Sequence, residues 1–174
     1  MKFYTGQGDN GESVILGESK KISKTDAVFD ALGALDELNS YLGVCRALAK
    51  DEKVASALRG AQENLFTIQA ELGGAKNIAL GEEKIKALEK TIDEFGDFVG
   101  PITKFTIPGG DSLSARLDFA RAMARLAERR ACAGKERLSA AALAYLNRLS
   151  SLLFALARYV NKKAGVSENH PRYG

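Results

Sequence analysis

Apolar residues recur at intervals of three and four positions in five segments of the chain, and this spacing constrains the fold more than any other feature. On a helix, such spacing gathers the apolar side chains on one face, which must be buried against another element. The pattern predicts four long helices and one short one, over residues 26–50, 51–73, 82–95, 112–134 and 139–163. We therefore predict an all-α fold, a five-helix bundle with a ferritin-like up-down arrangement.

The residues at the helix ends support these boundaries. Asp26 and Ser112 can each accept a hydrogen bond from a free backbone N–H group at a helix start. Glycines at positions 73, 74 and 134 stop the second and fourth helices. Residues 1–174 then form one domain, with a bundle over residues 26–163. Residues 1–25 are predicted as an ordered polar loop with at most a little strand, and residues 164–174 as a tail that is loose in isolation.

The composition excludes several classes of function. The net charge of +3 is too small to favour nucleic acid as a partner. Cys45 and Cys132 lack the spacing of a zinc site or of a disulfide framework, and the single histidine, His170, excludes a histidine-based triad. The N-terminus lacks the apolar region of a signal peptide, and no stretch approaches the roughly 18 apolar residues of a membrane span. We therefore expect a cytoplasmic protein that binds neither nucleic acid nor a membrane.

Three arginines, Arg121, Arg125 and Arg129, stand four positions apart on the predicted fourth helix. On a helix this spacing makes a ladder of guanidinium groups whose neighbours lie about 6 Å apart. Such a ladder suits a phosphate or a carboxylate, because a guanidinium group can bind two oxygen atoms at once. A charged face exposed only to water explains the same spacing, so the arginines alone leave both interpretations open.

The segment from Gly6 to Gly11 contains the spacing G-x-G-x-x-G, which also occurs in dinucleotide-binding sites. That interpretation fails, because the motif requires a strand before it and a helix that opens directly after it. The glycines can still turn backbone N–H groups towards an anion, beside the hydroxyl groups of Thr5 and Ser13 and the ammonium group of Lys24. A plain hairpin-like turn is the alternative.

Two polar pairs lie within predicted helices, Asp36–Glu37 in the first and Asn147–Arg148 in the last. Either pair can simply face water. A carboxylate of the first pair can instead form an ion pair with an arginine of the ladder, on another helix or in another subunit, since a desolvated arginine needs a partner. The second pair can likewise face a site, and the residues alone do not decide between these alternatives.

Seven segments, taken together and in order, resemble the ATP:cob(I)alamin adenosyltransferases of the propanediol-utilisation type. The resemblance extends from residue 3 to about residue 161, and seven short motifs in register are highly specific although each is weak alone. The segments are Tyr4-Thr-Gly-Gln-Gly-Asp-Asn-Gly11, Ser23-Lys24, Leu35-Asp-Glu-Leu-Asn39, Phe105-Thr-Ile-Pro-Gly-Gly110, Ala120-Arg121, Arg125-Leu-Ala-Glu-Arg129 and Leu146-Asn-Arg-Leu-Ser150.

The resemblance implies a homotrimer of five-helix bundles with an active site between adjacent subunits. The reaction would transfer the 5′-deoxyadenosyl group of ATP to the cobalt of cob(I)alamin and release triphosphate. The N-terminal loop of one subunit would hold the phosphates, and the fourth and fifth helices of its neighbour would complete the nucleotide site. The loop residues are Thr5, Gly6, Gln7, Gly8, Ser13 and Lys24, and the helix residues are Arg125, Glu128, Arg129 and Asn147.

The same resemblance implies further roles. Arg125 would act in catalysis at the leaving triphosphate, while Phe105 would pack under the corrin ring and exclude its lower axial ligand. Asp36 and Arg121 would pair between subunits. Mg²⁺ would lie on the ATP phosphates rather than on protein side chains. A flavin-type reductase would supply the reduced cobalamin, and a B12-dependent mutase or dehydratase would take the product.

The chain departs from the family pattern at three positions. Leu126 replaces a common arginine, Asp118 a common histidine and Gly6 a common lysine or arginine, which puts nucleotide affinity in question. The sequence after Val160 aligns poorly and leaves the upper wall of the corrin pocket unassigned. One alternative is a non-catalytic bundle that binds a nucleotide or a corrinoid. Another is a helical adaptor whose arginine ladder binds an acidic protein or RNA.

Overall fold

Five α-helices form the bundle in the computed structural model, which describes residues 2–173. They are α1 (Ala27–Leu48), α2 (Glu52–Leu72), α3 (Glu82–Val99), α4 (Ser112–Ala131) and α5 (Ala140–Lys163). A hairpin of two short strands, β1 (Glu12–Val14) and β2 (Lys21–Ser23), precedes them. A 3₁₀ turn over Cys132–Arg137 joins α4 to α5. The prediction of an all-α, five-helix fold is confirmed.

The core of the bundle lies where α5 packs against α3 and α4, and α1 packs against α4 and α2. Apolar side chains at helical spacing fill this space, among them Leu35 and Leu42 of α1, Leu65 of α2, Leu117 of α4 and Leu149 of α5, all fully buried. The buried faces are those that the periodic pattern predicted. Three buried alanines of α4, Ala120, Ala124 and Ala127, allow α4 to approach its neighbours closely.

Side-chain caps fix the helix starts. Asp26 accepts a hydrogen bond from the Val28 N–H group at 3.0 Å, as predicted. The prediction for α4 is wrong by one residue, because Asp111 rather than Ser112 accepts from the Leu113 N–H group, at 2.7 Å. A carboxylate at this position also interacts more favourably than a hydroxyl group with the partial positive charge of a helix N-terminus.

Two predicted helix ends are also wrong. The third helix continues past Phe95 to Val99, because Phe98 packs its ring 4.8 Å from that of Tyr159, and it ends at Gly100, whose φ of 80° suits a glycine. The fourth helix ends at Ala131 rather than at Gly134, since the chain tightens there into the 3₁₀ turn.

The expectation that no segment approaches the apolar length of a membrane span is wrong for α5. By length and composition α5 could cross a membrane, with a mean hydropathy of 1.4 over its most apolar window. In the bundle, however, 56% of that window is buried against the other helices. Its apolar character is that of a core helix.

The hairpin packs against one end of the bundle. Ser13 lies opposite Ile22 in its antiparallel register. The buried side chain of Ile15 and an ion pair of 2.9 Å between Glu18 and Arg137 hold the hairpin on the helices. The prediction of an ordered loop with a little strand agrees with this arrangement.

The C-terminal tail is not loose, contrary to the prediction. The Ile107 N–H group donates to the Asn169 carbonyl oxygen at 2.8 Å, and His170 Nδ1 lies 2.8 Å from the Phe105 carbonyl oxygen. The Glu168 carboxylate forms an ion pair of 3.1 Å with Arg158 of α5. The tail is therefore attached both to the loop between α3 and α4 and to the core.

A small polar cluster joins the turn between α1 and α2 to the end of α5. The Asp51 carboxylate accepts hydrogen bonds from the Lys53 N–H group at 2.9 Å, from the Tyr159 hydroxyl group at 2.8 Å and from the Lys163 ammonium group. These donors, Lys163 above all, hold the pKa of the Asp51 carboxyl group at about 2, below its ordinary value of 3.8.

The Asp51→Asn variant tests this cluster. Because the folded-state pKa is depressed, ionised Asp51 stabilises the folded chain above pH 4, and this contribution is lost as the pH falls towards 2. We expect the variant to be less stable than the unaltered protein at neutral pH by about 1 kcal/mol, with allowance for solvent screening, and the difference to shrink as the pH falls. Urea unfolding followed by circular dichroism at several pH values measures this. A difference that is independent of pH would contradict the prediction.

Candidate functional site

The arginine ladder is present on α4. Arg125 and Arg129 are exposed, and the Arg129 guanidinium group donates to the Arg125 carbonyl oxygen at 3.0 Å. Arg121 is half-buried, and its Nε atom is buried without a hydrogen-bond partner. Within residues 2–173 the ion pairs of the structure involve none of these three arginines. The ladder is therefore available to an acidic ligand.

Asn147 of α5 lies beside the ladder. Its amide group donates to the Glu128 carboxylate of α4 at 2.8 Å, and the Arg148 guanidinium group donates to the Asn147 side-chain oxygen at 3.1 Å. Glu128 follows Arg125 by three positions, which places both on one side of the helix. The structure thus brings the predicted residues Arg125, Glu128, Arg129 and Asn147 into one surface of α4 and α5.

The glycine-rich loop adopts a conformation that requires glycine. Gly8 has a φ of 117°, and a Cβ atom there would lie 3.0 Å from the Glu12 carbonyl oxygen and 3.2 Å from the Lys24 side chain. The Lys24 ammonium group donates to the Gly8 carbonyl oxygen at 2.8 Å, while the Gln7 N–H group donates to the Thr5 hydroxyl oxygen at 3.2 Å. The loop is thus a turn before β1, and Lys24, which follows β2, lies against it. That its backbone N–H groups hold an anion stays a prediction.

Among residues 2–173 no hydrogen bond or ion pair joins the loop to the ladder. Among the hydrogen bonds and ion pairs of residues 2–173, those of Thr5, Gln7 and Lys24 stay within the hairpin region. Those of Arg129 and Asn147 stay on α4 and α5. The two groups of predicted site residues are therefore not in polar contact with each other within one chain.

A cavity of about 960 Å³, here called the Phe105 cavity, lies between the α3–α4 loop and the tail. The Phe105 side chain is 78% exposed in its wall, so it is not a core residue. Arg121 of α4 and Phe154 of α5 form the inner wall. The tail lines the remaining side with His170, Pro171, Arg172 and Tyr173. Sequence reasoning missed these tail residues because the tail carries no recognisable motif.

Arg121 connects this cavity to a second one. A smaller cavity of about 370 Å³ contains Arg121 and Arg125 together with Phe154, and lies in the groove between α3, α4 and α5. Arg121 and Phe154 line both cavities. A ligand in the Phe105 cavity and an anion on the ladder would therefore be neighbours.

The predicted pair Asp36 and Arg121 is not formed within the chain. Asp36 is exposed on α1, and neither residue takes part in an ion pair among residues 2–173. The buried, unpartnered Nε atom of Arg121 leaves a donor for another group.

Of the three residues that depart from the family pattern, two lie on α4 and one lies in the N-terminal loop. Leu126 is half-buried on α4, and Gly6 has a φ of 71° in the N-terminal loop. Asp118 is buried and forms an ion pair of 2.5 Å with Arg158 of α5. The sequence carries a weak signal for this pair, because both charged residues interrupt helix faces that are otherwise apolar.

Neither the buried cysteine nor the acidic side chains of residues 2–173 add a good nucleophile or a metal site. Cys45 is buried, and burial raises the pKa of its thiol to about 11, which makes it a poor nucleophile. Among residues 2–173 no group of three or more His, Cys, Asp or Glu side chains could hold a metal ion.

Comparison with known proteins identifies the family of this chain. A family model described as cobalamin adenosyltransferase matches residues 3–160. A corrinoid adenosyltransferase from Citrobacter freundii is 39% identical over 165 residues, which cover 90% of this chain and 93% of that protein. The corrinoid adenosyltransferase PduO of Salmonella typhimurium is 38% identical over 166 residues, which cover 91% of this chain. The match covers 49% of that protein, so the chain spans about half its length.

A solved structure extends the comparison to the fold. It is that of a phenylalanine-to-histidine variant of a PduO-type ATP:corrinoid adenosyltransferase from Lactobacillus reuteri, complexed with cobalamin and ATP. The two structures superpose with a TM-score of 0.91 at 30% sequence identity, over 99% of this chain and 97% of that one. The chain belongs to the cobalamin adenosyltransferase family.

Proposed function

We propose that this chain transfers the 5′-deoxyadenosyl group of ATP to the cobalt of cob(I)alamin, giving adenosylcobalamin and triphosphate. The observation that carries the proposal is that Arg121 and Phe154 line both the Phe105 cavity and the cavity that contains Arg125. A flat, largely apolar substrate and a polyanionic one thereby have adjoining sites. The names of the similar proteins support the same reaction.

The nucleotide lies between two subunits in this proposal. Thr5, Gly6, Gln7, Gly8, Ser13 and Lys24 of one subunit hold the phosphates, and Arg125, Glu128, Arg129 and Asn147 of the neighbour complete the site. Lys24 now donates to a backbone carbonyl oxygen and would turn its ammonium group towards a phosphate. Mg²⁺ lies on the phosphates, as is usual for an ion that retains water and binds few protein groups.

The reaction requires alignment rather than a protein base. The electron pair of Co(I) attacks C5′, a Co–C bond forms, the C5′–O bond breaks and its electron pair leaves with the triphosphate. The protein holds cobalt, C5′ and the leaving oxygen in line. Arg125 and Arg129 stabilise the charge that develops on the leaving group, which lowers the barrier because the arginines are already in place.

Phe105 assists a different step. A largely exposed aromatic ring in the wall of the cavity can lie against the lower face of a corrin ring and keep an axial ligand from the cobalt. Loss of that ligand raises the reduction potential of Co(II), so that an external reductant can form Co(I). A flavin-type reductase supplies this electron, and a B12-dependent mutase or dehydratase uses the product in the cytoplasm.

The assembly that we propose is a homotrimer. An exposed apolar surface on α1 and α4 supports it, with Val44 and Leu48 46% and 44% exposed and Phe119 57% exposed. The ring of Tyr41 meets that of Phe119 edge-on at 5.2 Å on this surface. Burial of such a patch favours association. In the trimer Asp36 of one subunit pairs with Arg121 of the next.

A turnover measurement tests the function. The purified chain is supplied with chemically reduced cobalamin and MgATP, and adenosylcobalamin is followed by its absorption spectrum. A second candidate, a carrier that binds both substrates without turnover, is favoured by Leu126, one of the three departures from the family pattern that the resemblance implies. Binding of both substrates without product would decide for the carrier.

The Arg125→Ala variant should lose most of the adenosyl transfer while remaining folded. Loss of one charge-assisted contact to the leaving triphosphate should raise the barrier by about 2.7–4 kcal/mol, as for removal of an oxyanion-hole donor. Arg59→Ala is a matched control, because Arg59 is an exposed arginine of α2 whose partner is Glu63 on the same helix. Near-normal turnover in Arg125→Ala would remove the ladder from the mechanism.

The Phe105→Ala variant should separate reduction from transfer. We expect a large loss of activity when cob(II)alamin must be reduced on the protein, and a small one when cob(I)alamin is supplied. ATP binding should hardly change. Phe66→Ala, at a ring of α2 that is 65% exposed, controls for the loss of a surface aromatic. Equal losses in the two assays, with a lowered melting temperature, would show that Phe105 is merely structural.

Charge exchange tests the proposed subunit contact. Asp36→Arg alone or Arg121→Asp alone should weaken the trimer or its activity, because each places like charges opposite one another. The double exchange should restore part of the loss. Light scattering and turnover measure both effects, and a monomeric but fully active unaltered protein would rule out the contact.

A further inference from the structure

We propose that Glu168 is a positioning residue that latches the C-terminal tail to the loop carrying Phe105, and that Asp118 weakens this latch by competing for Arg158. The tail latch is defined as Glu168, Asn169 and His170. The proposal deepens the corrinoid side of the site and rests on the proposed function.

The latch contacts its neighbours through side chains and backbone. Glu168 forms an ion pair of 3.1 Å with Arg158 and accepts a hydrogen bond of 2.9 Å from the Asn161 amide group. The Asn169 carbonyl oxygen accepts from the Ile107 N–H group, and the His170 ring contacts the Phe105 carbonyl oxygen, both at 2.8 Å. The last two contacts hold the backbone directly after Phe105, on either side of Thr106. Movement of the tail must therefore release the segment that follows Phe105.

Asn161 connects the tail latch to the C-terminal end of the α3–α4 loop. Its amide group donates to the Gly109 carbonyl oxygen at 3.0 Å, and its side-chain oxygen accepts from the Asp111 N–H group at 2.9 Å. Gly110 has a φ of 100°, and a Cβ atom there would lie 2.5 Å from the Asn161 side-chain oxygen. The loop backbone is thus in close contact with Asn161, which also holds Glu168.

Arg158 is the shared partner of two carboxylates. Its side chain is only 1% exposed, and it lies 2.5 Å from an oxygen of Asp118, whose side chain is 4% exposed, and 3.1 Å from an oxygen of Glu168, whose side chain is 22% exposed. The three groups carry one positive and two negative charges. Asp118 makes the shorter contact with Arg158, is the more buried of the two carboxylates and is fixed on α4. Glu168 is therefore the carboxylate that can leave.

This competition makes the latch releasable. With Asp118 absent, Arg158 would have Glu168 as its only carboxylate partner among residues 2–173 and would hold it tightly, because a buried guanidinium group without a counter-charge is costly. With Asp118 present, the charge of Arg158 stays balanced when the tail moves away. The tail forms one wall of the Phe105 cavity, so its release opens the route for a large flat substrate.

Hydrogen exchange at the Ile107 amide group reports the latch directly, since its acceptor is the carbonyl oxygen of Asn169 in the tail. In Glu168→Gln we expect this amide to exchange about tenfold faster, as for loss of a charged hydrogen bond. In Asp118→Asn we expect slower exchange than in the unaltered protein. Glu136→Gln, at an exposed carboxylate of the 3₁₀ turn, is the control for loss of one negative charge and should leave the rate unchanged.

Kinetics of the full chain provide a second measurement. Glu168→Gln should raise the KM for cobalamin about tenfold and leave that for ATP within about twofold, because the variant disturbs one substrate only. A variant with lowered general stability would affect both constants. If the chain shows no adenosyl transfer at all, the proposed function fails while the exchange measurement still tests the latch.

The outcomes decide the two parts of the proposal. Unaltered Ile107 exchange in Glu168→Gln would overturn the latch. Exchange in Asp118→Asn that is no slower than in the unaltered protein would overturn the competition. If Asp118→Asn does not fold, Glu168→Gln and its control decide whether Glu168 positions the loop.

Discussion

The close packing of α4 is the constraint on which the rest of the site depends. Ala120, Ala124 and Ala127 are small enough for α4 to lie deep in the bundle, and their burial fixes the rotation of the helix about its axis. Once that rotation is fixed, Arg121 and Arg125 line the groove between α3, α4 and α5, and Arg129 lies one turn further along the same helix. The orientation of the ladder therefore follows from the apolar face opposite it. A larger residue at any of the three alanines would shift all three arginines together.

A second centre of organisation lies at the buried Arg158. The α3–α4 loop, the start of α4, the end of α5 and the tail all converge on Arg158 or its neighbour Asn161. A buried guanidinium group contributes little net stability after its desolvation is counted, but it needs partners in definite positions. In this fold Arg158 instead fixes the conformation of two long segments that lack regular secondary structure, the α3–α4 loop and the tail.

The helices could be predicted from the sequence because their determinants are local. Apolar spacing located all five, and Asp26 marked the start of α1 from its side chain alone. Ser112 was predicted as the cap of α4, but the adjacent Asp111 provides it, because the spacing of apolar residues does not locate a helix start to within one residue. The end of α3 could not be predicted either, because it depends on the ring of Tyr159, some sixty residues away in the sequence.

Part of the candidate site could likewise be predicted from the sequence. The grouping of Arg125, Glu128, Arg129 and Asn147 followed from helical spacing and from a family resemblance, and the structure brings these residues together. The tail and the role of Asp118 were not predictable. Asp118 stood out only as a departure from the family pattern, and its partner Arg158 lies forty positions further on. Contacts of this kind carry no periodic signature in either segment.

The separation of the glycine-rich loop from the ladder within one chain has a genetic consequence. In the proposed trimer every site is built from two different chains, so each chain contributes half of two sites. A chain altered only in the loop and a chain altered only in the ladder would each be inactive alone. Assembled together, they would still form intact sites wherever an unaltered loop meets an unaltered ladder. Two recessive defects in this gene could thus complement each other, although both fall in the same active site.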